Sequence, residues 1–251
     1  MQNLENKVAL ITGGTGGIGS AVAVELARRG MDLALNGRSA DHERAACVKS
    51  RVETLGRRCC LIAADVGVPE EASRLVKDAL ECYGRLDVLV HCAGGPVPGS
   101  LLEVSAEDWY RAFDVHVHAV FHLCRAAVPR MRGNGGGAIV LVSSAAGTRG
   151  CSGAIAYGVA KGAIPQFTRS LARELADDSI RVNCVCPGVI RTPFQNMLAP
   201  EQIRDNIERR IPLHREGTPE NVAEVIALLV TNQFITGENV VVDGGMTMRI
   251  P

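Results

Sequence analysis

Tyr157 and Lys161 stand four residues apart, and Ser144 lies thirteen residues before the tyrosine. At about 100° per residue, a spacing of four places phenol and ammonium on one helix face, one turn apart. Together the three residue types describe a device for moving a proton to or from an alcohol oxygen. A free phenol with a pKa of about 10 is a poor base at neutral pH, and each unit of lowering needs about 1.4 kcal/mol of selective phenolate stabilisation. A lysine cation roughly 4 Å away supplies on the order of 4 kcal/mol at an effective dielectric of about 20. The pair therefore predicts a phenol lowered into working range. Tyr-x-x-x-Lys also recurs by chance on ordinary helices, so the reading depends on the elements around it.

Short apolar, β-rich runs at 8–12, 33–36, 59–64, 86–91, 138–143, 180–186 and 239–242 alternate with amphipathic stretches near 17–29, 40–55, 69–83, 105–131, 153–177 and 219–231. Alternation of this kind means parallel pairing through right-handed crossovers, and strands apolar almost throughout mean a sheet covered on both faces. The predicted architecture is α/β: a doubly wound, parallel, seven-stranded sheet with helices on both faces, of Rossmann type. A chain of 251 residues can bury roughly three quarters of its unfolded surface. No Pro/Ser-rich linker or charge block divides it, so one domain over 1–251 is expected. A repeat period of about 20 to 50 residues is absent, which excludes solenoids and propellers.

The glycine-rich segment Thr12-Gly-Gly-Thr-Gly-Gly-Ile-Gly19 follows the first apolar run and opens the first helical stretch. Glycines allow a tight turn and close approach to a pyrophosphate, while a helix N-terminus offers free N–H groups and a positive dipole. Dinucleotide binding follows. The glycine register has two readings, Gly13/Gly17/Gly19 or Gly13/Gly16/Gly19. A site for NAD(H) wants an acid at the tip of the second strand to accept from the adenosine ribose 2′-OH; here that strand ends Asn36-Gly37-Arg38. Without a carboxylate a 2′-phosphate is not repelled, and Arg38 can pair with it, which favours NADP(H). NAD(H) remains possible if Arg38 is a solvated loop cation and Asp41 reaches back to the ribose.

Lys+Arg and Asp+Glu both number 27, so no basic field exists for nucleic acid or an anionic membrane. A small-molecule or carrier-bound substrate is expected instead. Nine cysteines with no C-x-x-C read as reduced thiols in a cytoplasm. Cys184 and Cys186 would share one strand face but lack further ligands at metal spacing, so no metal site is expected. No signal peptide or membrane span is recognisable.

Residues 12–19, His91-Cys-Ala-Gly94, Ser144, Tyr157-x-x-x-Lys161 and Pro187-Gly-Val-Ile-Arg-Thr192 together make the chain resemble the short-chain dehydrogenase/reductase family over essentially its whole length. The resemblance implies the single-domain branch, hence the Gly13/Gly17/Gly19 register, with Thr15 and Ile18 in the same cofactor loop. It implies Tyr157 as acid/base, Lys161 as the group that lowers its pKa and holds the nicotinamide ribose, and Ser144 as the holder of the substrate oxygen. Asp65 and Val66 would contact adenine, Ala93 and Gly94 would pass beneath the cofactor, and Pro187, Gly188, Ile190 and Thr192 would contact the nicotinamide end. His116 takes the place of the asparagine that usually completes a catalytic tetrad, and His91-Cys92 replaces the usual Asn-Asn. His118 and His122 are expected to pack or face solvent.

Among family members the pattern looks most like 3-oxoacyl-carrier-protein reductases, although only Arg173 matches a carrier-engaging cation; Gly135 stands at the other position, with Arg132 nearby. The alternatives are a reductase or dehydrogenase of a free ketone, sugar or secondary alcohol, and a non-catalytic NADP(H)-binding sensor or scaffold. A substrate lid is expected at 193–215, pocket walls at 95–98 and 147–152, and a homotetramer by resemblance of 235–245 to the family's last strand. Pro165 falls within the helix of Tyr157 and Lys161, cannot donate to the carbonyl of Lys161, and predicts a bend there.

Overall fold

A computed structural model of the protein describes residues 4–38, 42–192 and 199–248. Seven parallel strands lie in the order β3-β2-β1-β4-β5-β6-β7: β1 Val8–Thr12, β2 Asp32–Gly37, β3 Cys59–Ala63, β4 Val88–His91, β5 Gly137–Val142, β6 Ile180–Pro187 and β7 Asn239–Val242. The strands β1, β2 and β4 are buried at every residue but the last of β2, as expected of strands covered on two faces. Successive side chains alternate between two cores. Ala9 and Ile11 join one with Val22, Leu26 and Ile226; Leu10 joins the other with Leu75, Leu123 and Ile164.

On the first face, α1 (Gly17–Arg28) packs against α9 (Pro219–Thr231), with α2 (His42–Thr54) beside α1. The opposite face carries α3 (Pro69–Tyr83), α5 (Ala119–Gly133) and α7 (Ile155–Glu174). Strand order reverses between β1 and β4, where Thr12 and His91 are register partners at the carboxyl ends. A crevice opens at such a switch point, which is where doubly wound sheets bind their ligands.

The single helix expected over 105–131 is two helices joined by a wider turn. Ser105 caps α4 (Ala106–Phe113) by accepting from the Asp108 N–H at 3.0 Å, and a five-residue π turn, Asp114–His118, leads into α5. Such turns shift the register of everything that follows and cluster at functional sites. Beyond β6, the segment expected as a lid contains α8 (Pro200–Asp205) and a second π turn, Asn206–Arg210; residues 193–198 lie outside the described residues. Among the described residues no helix is long and apolar enough to cross a membrane.

Candidate active site

Strand β5 ends at Val142, and the next two residues divide the work of the site between them. Ser144 is the N-cap of the short helix α6 (Ala145–Thr148), accepting from the Ala146 N–H at 3.1 Å. Capping fixes the hydroxyl at the head of β5, where it hydrogen-bonds the Tyr157 phenol. Both residues line a cavity of about 980 Å3. Lys161, 5% exposed, lies one turn further along α7 and donates from Nζ to the Val142 carbonyl at 2.8 Å.

Expectation and structure part over the electrostatics of this trio. Burial raises the Tyr157 phenol above its ordinary value, and the Ser144 hydrogen bond pulls in the opposite direction. The Lys161 ammonium sits 5.8 Å from the phenol ring centroid, tethered to the Val142 carbonyl, and is not among the groups that shift the phenol. The lowering expected from the lysine is therefore not realised in this arrangement. Burial acts on the lysine as well, bringing it down to about 8. The spacing of four residues placed both groups on one face, and desolvation then raised the one and lowered the other.

Pro165 does not interrupt α7, which runs unbroken through Ile155–Glu174. The Lys161 carbonyl that the proline leaves without its helical donor accepts instead from the Ser143 hydroxyl at 2.7 Å. A buried carbonyl without a partner costs about 1–3 kcal/mol, so Ser143 repairs the turn that carries Lys161. Gly147 of α6 lies against the same carbonyl, where a Cβ would stand 2.7 Å from the Lys161 oxygen.

Two histidines stand where the resemblance implied asparagines. His91 is buried and held near pKa 3, mainly by desolvation, so its ring is neutral. Its Nε2–H donates to the Val115 carbonyl at 3.2 Å, which leaves Nδ1 to accept from the Thr12 hydroxyl at 2.9 Å; that oxygen in turn accepts from the Ala93 N–H at 3.2 Å. Glycine loop, β4 and π turn are thereby joined in one directed chain. His116, 2% exposed and held near pKa 2 chiefly by desolvation, donates from Nε2 to the Gly95 carbonyl at 3.2 Å. Its Nδ1 has no hydrogen-bond partner among the described residues, and its ring stands edge-on to Tyr157, centroids 5.5 Å apart. Gly94 makes this possible: its φ of 153° lies outside the range of ordinary side chains, and a Cβ there would stand 2.2 Å from His116 Cε1. With histidine at 116 the helix widens into the π turn Asp114–His118. His118 is exposed and pairs with Asp114 at 3.0 Å, as a surface residue would.

A dinucleotide needs a bare backbone cradle, and residues 13–19 provide one. Gly13 has φ 62° and lies so close to β4 that a Cβ would stand 2.9 Å from Ala93 Cα; a Cβ on Gly19 would overlap the Gly13 carbonyl at 2.2 Å. Gly16 faces open space, and Gly17 is approached by Thr192, 3.6 Å from where its Cβ would be. Helix α1 starts here with no acid in its first turn, keeping its dipole and free N–H groups available to an anion. Thr15 is buried beside Gly37, and Ile18 packs on the first core. Opposite, Pro187 ends β6, Gly188 adjoins Asp243, and Ile190 is buried at a bridge to Gly217. The Gly13 backbone thus lies against that of Ala93, and the Thr192 side chain stands beside Gly17, around the loop that opens α1.

Just past β2, Arg38 is exposed and close enough to Asp65 to help lower its carboxyl. Burial raises that carboxyl, but the Gly67 N–H and the Arg111 guanidinium, 2.5 Å away, outweigh it and hold it below its ordinary value. Val66 is buried beside it. Asn36 turns inward, its amide donating to the Ile62 and Ala64 carbonyls at 3.2 and 3.0 Å. Asp41, the alternative ribose partner, lies outside the described residues.

Sequence reasoning did not anticipate Ser143, the His91–Thr12 link, or the part that Thr247 takes in the cavity. Pro96, Val97 and Pro98 and Arg149 line that cavity from the two expected wall segments, and Glu201, Asp205 and Arg210 from the segment expected as a lid. The signal for Ser143 was present: a carbonyl freed by Pro165 needs a donor, and a second serine adjoins the catalytic one. Nothing in the local pattern announces that Thr247, near the end of the chain, returns to the site, where its carbonyl accepts from Arg149 at 3.1 Å.

Residues 13–247 match a family model described as enoyl-(acyl carrier protein) reductase. A protein of Oryctolagus cuniculus, dehydrogenase/reductase SDR family member 4, is 37% identical over 254 residues, covering 98% of this chain and 96% of its own. Among solved structures, L-sorbose reductase from Gluconobacter frateurii, complexed with NADPH and L-sorbose, matches with a TM-score of 0.91 at 31% identity, covering 99% of this chain and 100% of that one. Acetoin dehydrogenase from Enterobacter cloacae matches at 0.90 and 34% identity, with 99% and 98% covered.

Proposed function

Because the chain belongs to the short-chain dehydrogenase/reductase family, we propose that it is an NADP(H)-preferring oxidoreductase that interconverts a carbonyl and a secondary alcohol through Ser144, Tyr157 and Lys161. The observation that carries this reading is the Ser144–Tyr157 hydrogen bond at the wall of the cavity, with the Lys161 ammonium one turn away. A nicotinamide held in the slot between residues 13–19 and 187–192 supplies the hydride. In reduction, the Ser144 hydroxyl holds the carbonyl oxygen and the Tyr157 phenol gives it a proton as charge develops there. In oxidation the phenolate takes that proton back, and a protonated Lys161 stabilises the phenolate. Ala93, Gly94 and Asp65–Val66 would bed the cofactor, and His116 would keep the π turn in place beside the tyrosine. Arg38, with no acid at the tip of β2, supports preference for a 2′-phosphate. Residues 1–251 are read as one catalytic domain whose segment 193–215 closes over substrate.

For the substrate, the cavity lining supports a hydroxylated free ketone or sugar. Glu201, Asp205, Gln202, Asn206, Arg149 and Arg210 offer hydrogen-bonding groups beside an apolar wall of Pro96, Val97, Pro98, Val189 and Met246, and an acyl chain would use only the second. Arg132 is engaged by Asp178 at 2.7 Å, leaving exposed Arg173 as the carrier-facing cation of the second reading, a 3-oxoacyl thioester. NADPH and NADH consumption over a panel of ketoses, hydroxyketones and a 3-oxoacyl thioester tests both. Turnover of a hydroxylated ketone with NADPH is expected, and Arg173→Glu should leave it unchanged. Turnover confined to the thioester and lost in Arg173→Glu would establish the carrier reading. Thermal stabilisation by NADP(H) without consumption on any carbonyl would make the protein a binder.

A further inference from the structure

Remote from the cavity, two thiols meet at the edge of the sheet. Cys60 lies on β3, which pairs only with β2, and its side chain turns to the core beneath α3, together with Leu80 and Tyr83. Cys82 stands in the last turn of α3, exposed, with its sulfur 2.6 Å from that of Cys60. The other close pair of thiols, Cys184 and Cys186, is 4.0 Å apart, buried, and two residues apart on one strand. The edge pair differs on each count: its sulfurs are nearer, one is open to solvent, and they bridge two elements. Neighbouring Cys59 is buried and turns to the opposite core, so Cys82 faces Cys60 alone.

We propose that Cys60 and Cys82 are a redox-reversible pair whose disulfide staples the edge strand β3 to helix α3. The oxidant is a small-molecule disulfide of the glutathione class. The exposed Cys82 thiolate attacks one of its sulfurs, forming a mixed disulfide and releasing one glutathione thiolate. Cys60 then loses its proton and attacks the Cys82 sulfur, expelling the second glutathione; two protein thiols become one disulfide while one small disulfide becomes two thiols. The order of events follows from burial, which raises the Cys60 thiol and makes it the resolving partner. The bond closes the segment 60–82, which contains Asp65 and Val66 and the turn between β3 and α3. Cross-linking removes unfolded-state freedom, so the oxidised form is the more stable one.

The test is peptide mapping of the full-length protein after exposure to oxidised glutathione, with free thiols alkylated. A peptide pair joined through Cys60 and Cys82, two hydrogens lighter than its reduced parts and released by dithiothreitol, is expected. The thermal midpoint should rise by several degrees on oxidation. Cys82→Ser and Cys82→Ala should abolish both changes and leave turnover as it was. Continued alkylation of both cysteines, a glutathione adduct arrested on Cys82, or a cross-link without a rise in midpoint would overturn the proposal. None of these readouts depends on what the active site turns over.

Discussion

The two regions that the proposed function assigns to catalysis and to the adenosine of the cofactor are held together by different means. At the catalytic end, side chains are fixed by neighbouring backbone: Lys161 by the Val142 carbonyl, Ser143 by that of Lys161, His91 by that of Val115 and His116 by that of Gly95. At the adenosine end, charged side chains hold one another. Asp65 and Arg111 pair while 33% and 42% exposed, against 5% for Lys161. Buried, backbone-tied groups take their protonation state from desolvation, whereas exposed ion pairs are screened and contribute little. Proton transfer needs fixed geometry, and telling two cofactors apart by one phosphate needs only a local balance of charge.

Substitutions at each end should therefore fail in different ways. Tyr157→Phe should lower turnover by about 10^2- to 10^4-fold, the usual worth of a positioned acid/base, while cofactor binding followed by fluorescence stays intact; full activity would remove the mechanism. Ser143→Ala should leave the Lys161 carbonyl unpaired and reduce unfolding free energy by about 1–3 kcal/mol in a denaturant titration. An unchanged midpoint would mean that the turn finds another donor. Arg38→Ala should weaken NADPH relative to NADH by roughly tenfold, the lower range for a hydrogen bond to a charged group at an exposed site, and added salt should erode the wild-type preference. If the ratio stays put, the selectivity lies elsewhere in the slot.

The pH dependence separates the ends further. Burial disfavours the charged lysine, so Lys161 loses its proton near 8 rather than at its ordinary 10.5. Turnover that uses the ammonium should fall about tenfold per pH unit above that point, with no inflection between pH 5 and 7, because His91 and His116 stay neutral down to about 3 and 2. The sign for stability is opposite: between about 8 and 10.5 the unfolded chain holds the proton that the folded one has released, so this group's contribution to stability rises with pH. An alkaline limb that survives Lys161→Met would assign it to another group. Smallest of all, His116→Asn should change turnover by less than about tenfold, equivalent to about 1.4 kcal/mol; a gain of several orders of magnitude would mean that histidine cripples the natural enzyme.

Much of this was legible because it is periodic or local. Alternating runs foretold the seven strands, since parallel pairing leaves direct marks on residue choice, whereas the residues alone left two glycine registers open and the resemblance chose Gly13, Gly17 and Gly19. The long stretch 105–131 was legible as helix but not as α4, a π turn and α5, because each piece is itself helical and the change of register falls between them. The phenol's protonation was misjudged for a different reason. Spacing reports which groups share a face, but not how deeply they are buried or which carbonyl draws the ammonium away. Asn36 was legible only as part of a strand tip without an acid, whereas its amide ties β2 to β3, a partner that sequence distance conceals.

The bond from Ser143 to the Lys161 carbonyl also constrains how this chain could have changed. A proline at 165 costs least where residue 143 already carries a hydroxyl, and once it is present, losing that hydroxyl first costs about 1–3 kcal/mol. The less costly retreat begins by restoring an N–H at 165. The two positions form a ratchet, so relatives should sort into histories in which serine preceded proline, and the same replacement of Ser143 should be harmless on one branch and damaging on the other.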